Sequence, residues 1–201
     1  VKAPYIAFLD HDDMLAPEAL GIVAEAIAKN PSLRFIYTDE DHIDSNNVRT
    51  SPIFKSEFDR DLFLPGHLSI YETAILKKTG GLRPGFEGSQ DYDLALRVTE
   101  KLTSKQIWHL PYILYHWRIH ENSTAGSMES KPYILEATRT AKQKMAERRG
   151  IQANVVKTGK NNFFLLAYDL PDNLSCSIIL LTDSENPSPN ANLVASIETL
   201  A

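Results

Sequence analysis

The 201-residue sequence has a single cysteine, Cys176. One thiol excludes an internal disulfide framework and fits a reducing compartment. Long apolar runs are missing too. No stretch approaches the ~20 residues that cross a bilayer, and the residues from Val1 onward show no signal-peptide pattern. The expectation is a cytoplasmic location, at most peripheral at the inner face of the cell membrane. Positive charge is not in excess: 21 Lys and Arg stand against 26 Asp and Glu, for a net charge of -5. That balance argues against generic nucleic-acid binding. It leaves nucleotides open, because a metal ion can carry the phosphate contact. What is present is a 43% hydrophobic content, enough for the core of one domain, or of one domain and a fragment.

The tract Tyr5-Ile6-Ala7-Phe8-Leu9 runs straight into Asp10-His11-Asp12-Asp13. An unbroken apolar run is the pattern of a strand buried on both faces, as in a parallel sheet. Open α/β sheets bind ligands just beyond the carboxyl ends of such strands. Three carboxylates there repel one another, and desolvation sharpens the repulsion. A cation relieves it. Hard oxygen ligands favour Mg2+ or Mn2+, and a nearby histidine is compatible with Mn2+. The plainer reading is an acidic helix start, since Pro17-Glu18 opens a helix soon after. One cap needs one Asp, however, not three.

Further along, Pro17 to Lys29 reads as a helix with Leu20, Val23, Ala24 and Ile27 as its apolar stripe. Phe35 to Thr38 is a second strand that ends in acids: Asp39, Glu40 and Asp41, then His42 and Asp44. Either one face of the sheet collects charge or this is a solvated turn. Ser45-Asn46-Asn47 is a turn, and residues 50–65 form a long loop with aromatic anchors, the composition of a binding loop. A short strand at Leu68–Tyr71 leads to a helix over Glu72–Lys78, capped by Gly80. A glycine-rich stretch then opens a helix from Asp91 to about Leu102. Asp91 sits at its start, as N-cap or, across a cleft from a metal, as a general base. Asp93 and Glu87 are next in line for the latter role. Ile107–Leu110 and Ile113–Arg118 read as two strand segments broken by Pro111. His116 or His120 could close a metal site, and Arg118 with the Ser/Thr loop at 122–127 could meet a phosphate. Pro132–Arg149 is a long helix with Ile134, Leu135, Thr138, Ala141 and Met145 inward. Its basic side, with Lys142, Lys144, Arg148 and Arg149, is a solvated surface. A hairpin follows around Thr158-Gly159-Lys160-Asn161, then a linker at 169–173, a strand at Ser177–Leu181 and a helix from Asn190.

Taken together, Phe8-Leu9-Asp10-His11-Asp12-Asp13, Tyr37-Thr38-Asp39-Glu40-Asp41, Gly66-His67-Leu68, Gly80-Gly81, Glu87 to Leu94 and Tyr115-His116-Trp117-Arg118 resemble family 2 glycosyltransferases of the GT-A fold. The likeness is greatest to bacterial enzymes that build surface polysaccharide, and it spans roughly Val1 to Ser127. The resemblance implies that Asp10 and Asp12 are a DxD motif holding a divalent ion, Mn2+ or Mg2+, and the donor diphosphate, with Asp13 in the same motif. It implies that Asp91 is the catalytic base, that His116 and Arg118 lie in the segment closing over the diphosphate, and that Gly66-His67 and Gly80-Gly81 border the acceptor and sugar pocket. Gln90 stands where many members carry an acid.

The fold expected from this resemblance is α/β, a GT-A-like mixed, mostly parallel sheet flanked by helices, with the N-terminal nucleotide-binding half missing. Residues 1–127 would be the acceptor-side catalytic part, 128–170 a helix and hairpin extension, and 171–201 a linker and the start of a second such domain in a longer, tandem chain. The function implied is metal-dependent, inverting transfer of a sugar from a nucleotide-sugar donor to a saccharide or lipid-linked saccharide acceptor, in polysaccharide biosynthesis, with the fragment inactive alone. The alternative is a non-catalytic carbohydrate-binding or assembly module derived from such a domain.

Overall fold

The computed structural model describes residues 2–119, 132–158 and 163–173, together with 175 and 177. The loop carrying His120 and the Ser/Thr run, Cys176 and the expected strand and helix beyond it lie outside the described residues. The chain forms two compact units, 1–169 and 170–201, and every described strand and helix falls in the first.

The elements run β1 (Tyr5–Ala7), β2 (Met14–Leu15), α1 (Ala19–Lys29), β3 (Phe35–Ile43), β4 (Arg49–Ile53), β5 (Ser69–Glu72), α2 (Thr73–Thr79), α3 (Gln90–Thr99), β6 (Ile107–Arg118), α4 (Pro132–Arg148), β7 (Ala153–Thr158) and β8 (Phe163–Tyr168). One sheet has the order β1-β5-β3-β6-β2, with β4 beside β3, while β7 and β8 form the expected hairpin. The sheet is mixed, but not mostly parallel. Among the described strands of this sheet only β3 and β6 pair in parallel; β1–β5, β3–β5, β3–β4 and β2–β6 are antiparallel.

Side-chain alternation on β3 builds a core on each face of the sheet. Phe35 and Tyr37 join Tyr71, Leu94, Val98 and Met145 on the face covered by α3 and α4. Ile36 joins Ala19, Val23, Ile70 and Leu114 on the face covered by α1. β6 remains one strand across Pro111 because the chain bulges there. Leu110 pairs with Thr38 and Ile113 with Asp39, so Pro111 needs no ladder donor. Gly80 closes α2 in the left-handed conformation at φ 89°, as the sequence predicts.

Three expectations need correction. The apolar run from Tyr5 is not a central strand. β1 stops at Ala7 and pairs only with β5 among the described strands, and Phe8 and Leu9 are exposed. Consecutive β1 and β2 occupy opposite ends of the strand order, so residues 8–13 must cross the ends of β5, β3 and β6. Four strand spacings come to roughly 19 Å, and the seven Cα steps from Ala7 to Met14 can reach at most roughly 25 Å. The crossing removes Phe8 and Leu9 from the sheet. On α1 the buried stripe is Ala19, Val23 and Ala26, while Leu20 faces out at 68% exposure. The Ala16 N–H bonds to the Leu114 carbonyl at 3.0 Å, which anchors the chain on β6 and turns Ala19 inward.

The basic side of α4 is also not a plain solvated surface. Lys142 is 2% exposed, and its ammonium donates to the Asp61 carbonyl. Arg148 pairs with Glu100 at 2.5 Å and Arg149 with Asp61 at 2.7 Å. Burial lowers the Lys142 pKa to about 8, against a smaller opposing pull from Asp61 and Asp59. Its unfolded value is about 10.4. Between those values the unfolded chain binds more protons than the folded one, so this lysine's contribution makes stability rise with pH. Urea melts at pH 7.5 to 9.5 should show wild-type stability gaining on Lys142→Met as pH rises, by on the order of 1–3 kcal/mol across the window. Parallel curves for the two proteins would refute it.

Candidate active site

Strands β1 and β3 both run antiparallel to β5, and β6 runs parallel to β3. The carboxyl ends of β1, β3 and β6 therefore lie along one edge, and β5 begins at that edge just after Gly66 and His67. The segment Asp10–Asp13 crosses it. A turn closes between the Asp13 N–H and the Asp10 carbonyl at 3.2 Å. Asp13 ties this turn down: one carboxylate oxygen accepts the Tyr115 hydroxyl and the other accepts the Arg118 N–H at 2.7 Å. Arg118 completes the clamp. Its guanidinium donates to the Asp12 carbonyl at 2.6 Å, the Asp44 carbonyl at 2.8 Å and the Asn47 side chain at 2.9 Å. Asp13 and Arg118 thus brace the segment that presents Asp10 and Asp12.

The second acidic cluster is not a solvated turn. β3 continues through it, and Asp39, Glu40 and Asp41 are all buried. Each has partners. Asp39 bonds to His109 Nε2 at 2.7 Å and accepts the Lys55 N–H at 2.8 Å. Asp41 bonds to His116 Nδ1 at 2.5 Å and accepts from Arg49 at 2.6 Å. Glu40 accepts Lys55 Nζ at 2.8 Å, pairs with His67 Nδ1 at 2.9 Å and accepts the His67 N–H at 2.7 Å. Burial opposes the Glu40 charge, but His67 and Lys55 outweigh it and lower its pKa to about 2. In return, although burial disfavours the His67 imidazolium, Glu40 and then Asp91 raise its pKa above the usual histidine value. Gly66 permits this approach. A Cβ there would lie 2.5 Å from the Thr38 carbonyl oxygen and 3.3 Å from Glu40 Oε2.

Ser89, not Asp91, is the N-cap residue of α3. Asp91 stands exposed in the first turn, its carboxylate near its own chain, accepting the Tyr92 N–H at 2.8 Å. Two residues on, Asp93 is 1% exposed and gripped by Arg83 at 2.6 and 2.9 Å and by Arg97 at 2.8 Å. Asp93 is thereby structural and does not stand in for Asp91 at a cleft.

A cleft of about 600 Å³ runs along this edge. Polar residues Asp10, Glu40, Lys55, His67 and Asp91 line it together with the apolar Ile53, Phe54, Leu62, Leu64, Pro65 and Trp117. The expected loop with aromatic anchors supplies much of that apolar lining. The structure brings Asp10 and Asp91 into one cavity. It does not place His116 in a metal-binding group with Asp10 and Asp12: no set of three or more such side chains occurs among the described residues. Asp10 and Asp12 fit a hard divalent ion by donor chemistry, since Mg2+ takes one or two carboxylates and fills its shell with water and substrate phosphates. The contribution of Lys55 and the Glu40–His67 pairing were missed in the sequence. Their only signal was an acid cluster too polar for a strand interior without counter-charges.

No protein-family profile matches the chain. Relatives were found among curated proteins. The chain is 42% identical over 144 residues to the uncharacterized protein y4gI of Sinorhizobium fredii, covering 70% of the chain and 16% of that protein. It is 34% identical over 161 residues to the O-antigen biosynthesis protein RfbC of Myxococcus xanthus, covering 77% and 12%. It is 27% identical over 126 residues to the chondroitin synthase of Escherichia coli, covering 60% and 18%. The chain therefore spans less than a fifth of the length of each of these relatives.

The Glu40 network makes a pH-dependent prediction. With a folded pKa of about 2 and an unfolded value of about 4.3, Glu40 contributes stability that is fully present above the unfolded value and lost as pH falls towards 2. Glu40→Gln, which strands His67 and Lys55 beside a neutral group, should cost about 3–5 kcal/mol at pH 7. Urea melts should show that deficit narrowing below pH 4.3; a deficit that is small at pH 7, or unchanged with pH, would refute it.

Proposed function

We propose that this chain is the catalytic part of a glycosyltransferase of polysaccharide synthesis, moving a sugar from a nucleotide-sugar donor to a saccharide hydroxyl. The carrying observation is that Asp10, from the braced acidic segment, and Asp91, from the start of α3, line the same cleft. The relatives named for O-antigen and chondroitin synthesis support the reading, as does the cleft itself, whose mixed polar and apolar lining suits a sugar ring.

In this reading Asp10 and Asp12 hold Mg2+ or Mn2+, which supplies charge neutralisation for the departing nucleoside diphosphate. Asp13 and Arg118 keep those two acids in place. Asp91 accepts the proton of the acceptor hydroxyl as its oxygen attacks the anomeric carbon. The bond from that carbon to the diphosphate breaks as the new one forms, and a single displacement inverts the centre. The site is exposed at Asp91, so an acceptor can reach it without opening the fold. The GT-A architecture, with a nucleotide-binding half in the longer protein, belongs to the same proposal.

The test uses the full-length protein. Asp91→Asn should lower kcat by about 10²–10⁴-fold with donor affinity little changed, because proton removal is needed only in the transition state. Asp12→Asn, or excess chelator, should nearly abolish transfer. Unchanged kcat in Asp91→Asn would move the base elsewhere. Saccharide binding without turnover in the wild type would favour a non-catalytic carbohydrate-binding module.

A further inference from the structure

His67 is built into the cleft with unusual care. Its Nδ1 faces the buried Glu40 carboxylate at 2.9 Å, and its own N–H donates to the same oxygen at 2.7 Å. Its ring stacks on Tyr115 at 5.4 Å and packs on Trp117 at 4.4 Å. Nδ1 being committed, Nε2 is the ring atom left to interact with a ligand. Lys55, the other cation of the cleft wall, is paired with Glu40 at 2.8 Å. The Tyr115 hydroxyl receives the Asp10 N–H at 3.4 Å. His67 and Asp10 therefore meet the same tyrosine, one on its ring face and the other at its hydroxyl, and both line the cleft.

We infer that His67 is a substrate-binding residue whose Nε2–H donates a charge-assisted hydrogen bond to a phosphate oxygen of the donor diphosphate bound at Asp10. This rests on the glycosyltransferase reading and adds a residue to it. A diphosphate held by two carboxylates through a single divalent ion keeps excess negative charge, and more develops as it departs. A fixed imidazolium beside it offsets that charge. Glu40 serves it twice, by orienting the ring and by favouring its protonated form against the cost of burial. The charged groups acting on His67 are Glu40, Lys55 and Asp91.

The experiment follows the His67 ring by NMR in the wild-type full-length protein, with Mg2+, on adding pyrophosphate, uridine diphosphate or phosphate-free uridine. Both phosphate ligands should shift the ring signals and raise the ring's titration midpoint, and uridine should do neither. In parallel, His67→Gln should bind both phosphate ligands about 10- to 100-fold more weakly. If the wild type binds the diphosphates and neither the ring midpoint nor the affinity of the variant changes, the inference is wrong while the glycosyltransferase reading stands. If the wild type binds none of them, that reading fails and takes the inference with it. The wild-type midpoint decides the matter even where the variant does not fold.

Discussion

Asp39, Glu40 and Asp41 are each 3% exposed or less, and a carboxylate at that depth costs several kcal/mol unless it is paired. The neighbours are arranged to meet that demand. β6 supplies His109 and His116, the stretch after β4 supplies Lys55, β4 supplies Arg49, and the residues before β5 supply His67. Three separate chain segments are thus pinned to one strand by its acids. Phe63 packs the 54–68 loop into the core, and the pairs that Lys55 and His67 make with Glu40 tie down its two ends. Residues of that loop line the cleft.

The same edge is shaped by a length constraint. Because β1 and β2 lie at opposite ends of the strand order, the six residues between them are drawn across the strand ends. The clamp by Asp13, Tyr115 and Arg118 fixes that link. Asp10 and Asp12 are held in place by the turn closed between Asp10 and Asp13 and by the Arg118 guanidinium on the Asp12 carbonyl. That is a more rigid setting than an ordinary loop offers.

Much of this was legible in the sequence. The helices at α2, α3 and α4, the Gly80 cap, the hairpin and the acids after β1 all follow from local spacing and turn chemistry. Asp91 was visible because an acid follows a glycine-rich stretch just where apolar helical spacing begins. Sheet order was not visible. Tyr5–Leu9 reads as a buried strand because composition reports apolarity and not the path that the chain must take next. Lys142 failed for a related reason: helical periodicity places it beside the buried stripe, and only the tertiary partner, the Asp61 carbonyl, shows that its ammonium is drawn inward. His67 was legible as part of the Gly66-His67-Leu68 likeness, but its pairing was not, since that depends on Glu40, 27 residues earlier.

Asp91 and Asp93 show how the fold assigns chemistry to one of two similar residues. They are two positions apart, so the 3.6-residue period turns them about 200° around the helix axis. One faces the cleft edge and is exposed; the other faces inward and is 1% exposed. The inward acid costs too much to bury alone, and Arg83 and Arg97 offset that cost. Arg97 also donates to the Thr79 and Gly81 carbonyls at 2.9 and 2.7 Å, which ties the end of α2 to α3. The start of α3 is therefore fixed by Asp93 from inside, and on the other flank by Gly88 fitting against Ile134, where a Cβ would come within 2.6 Å. A helix start held on two sides gives Asp91 a defined location without any bond that would neutralise its carboxylate. The buried acid is thus what positions its exposed neighbour at the cleft.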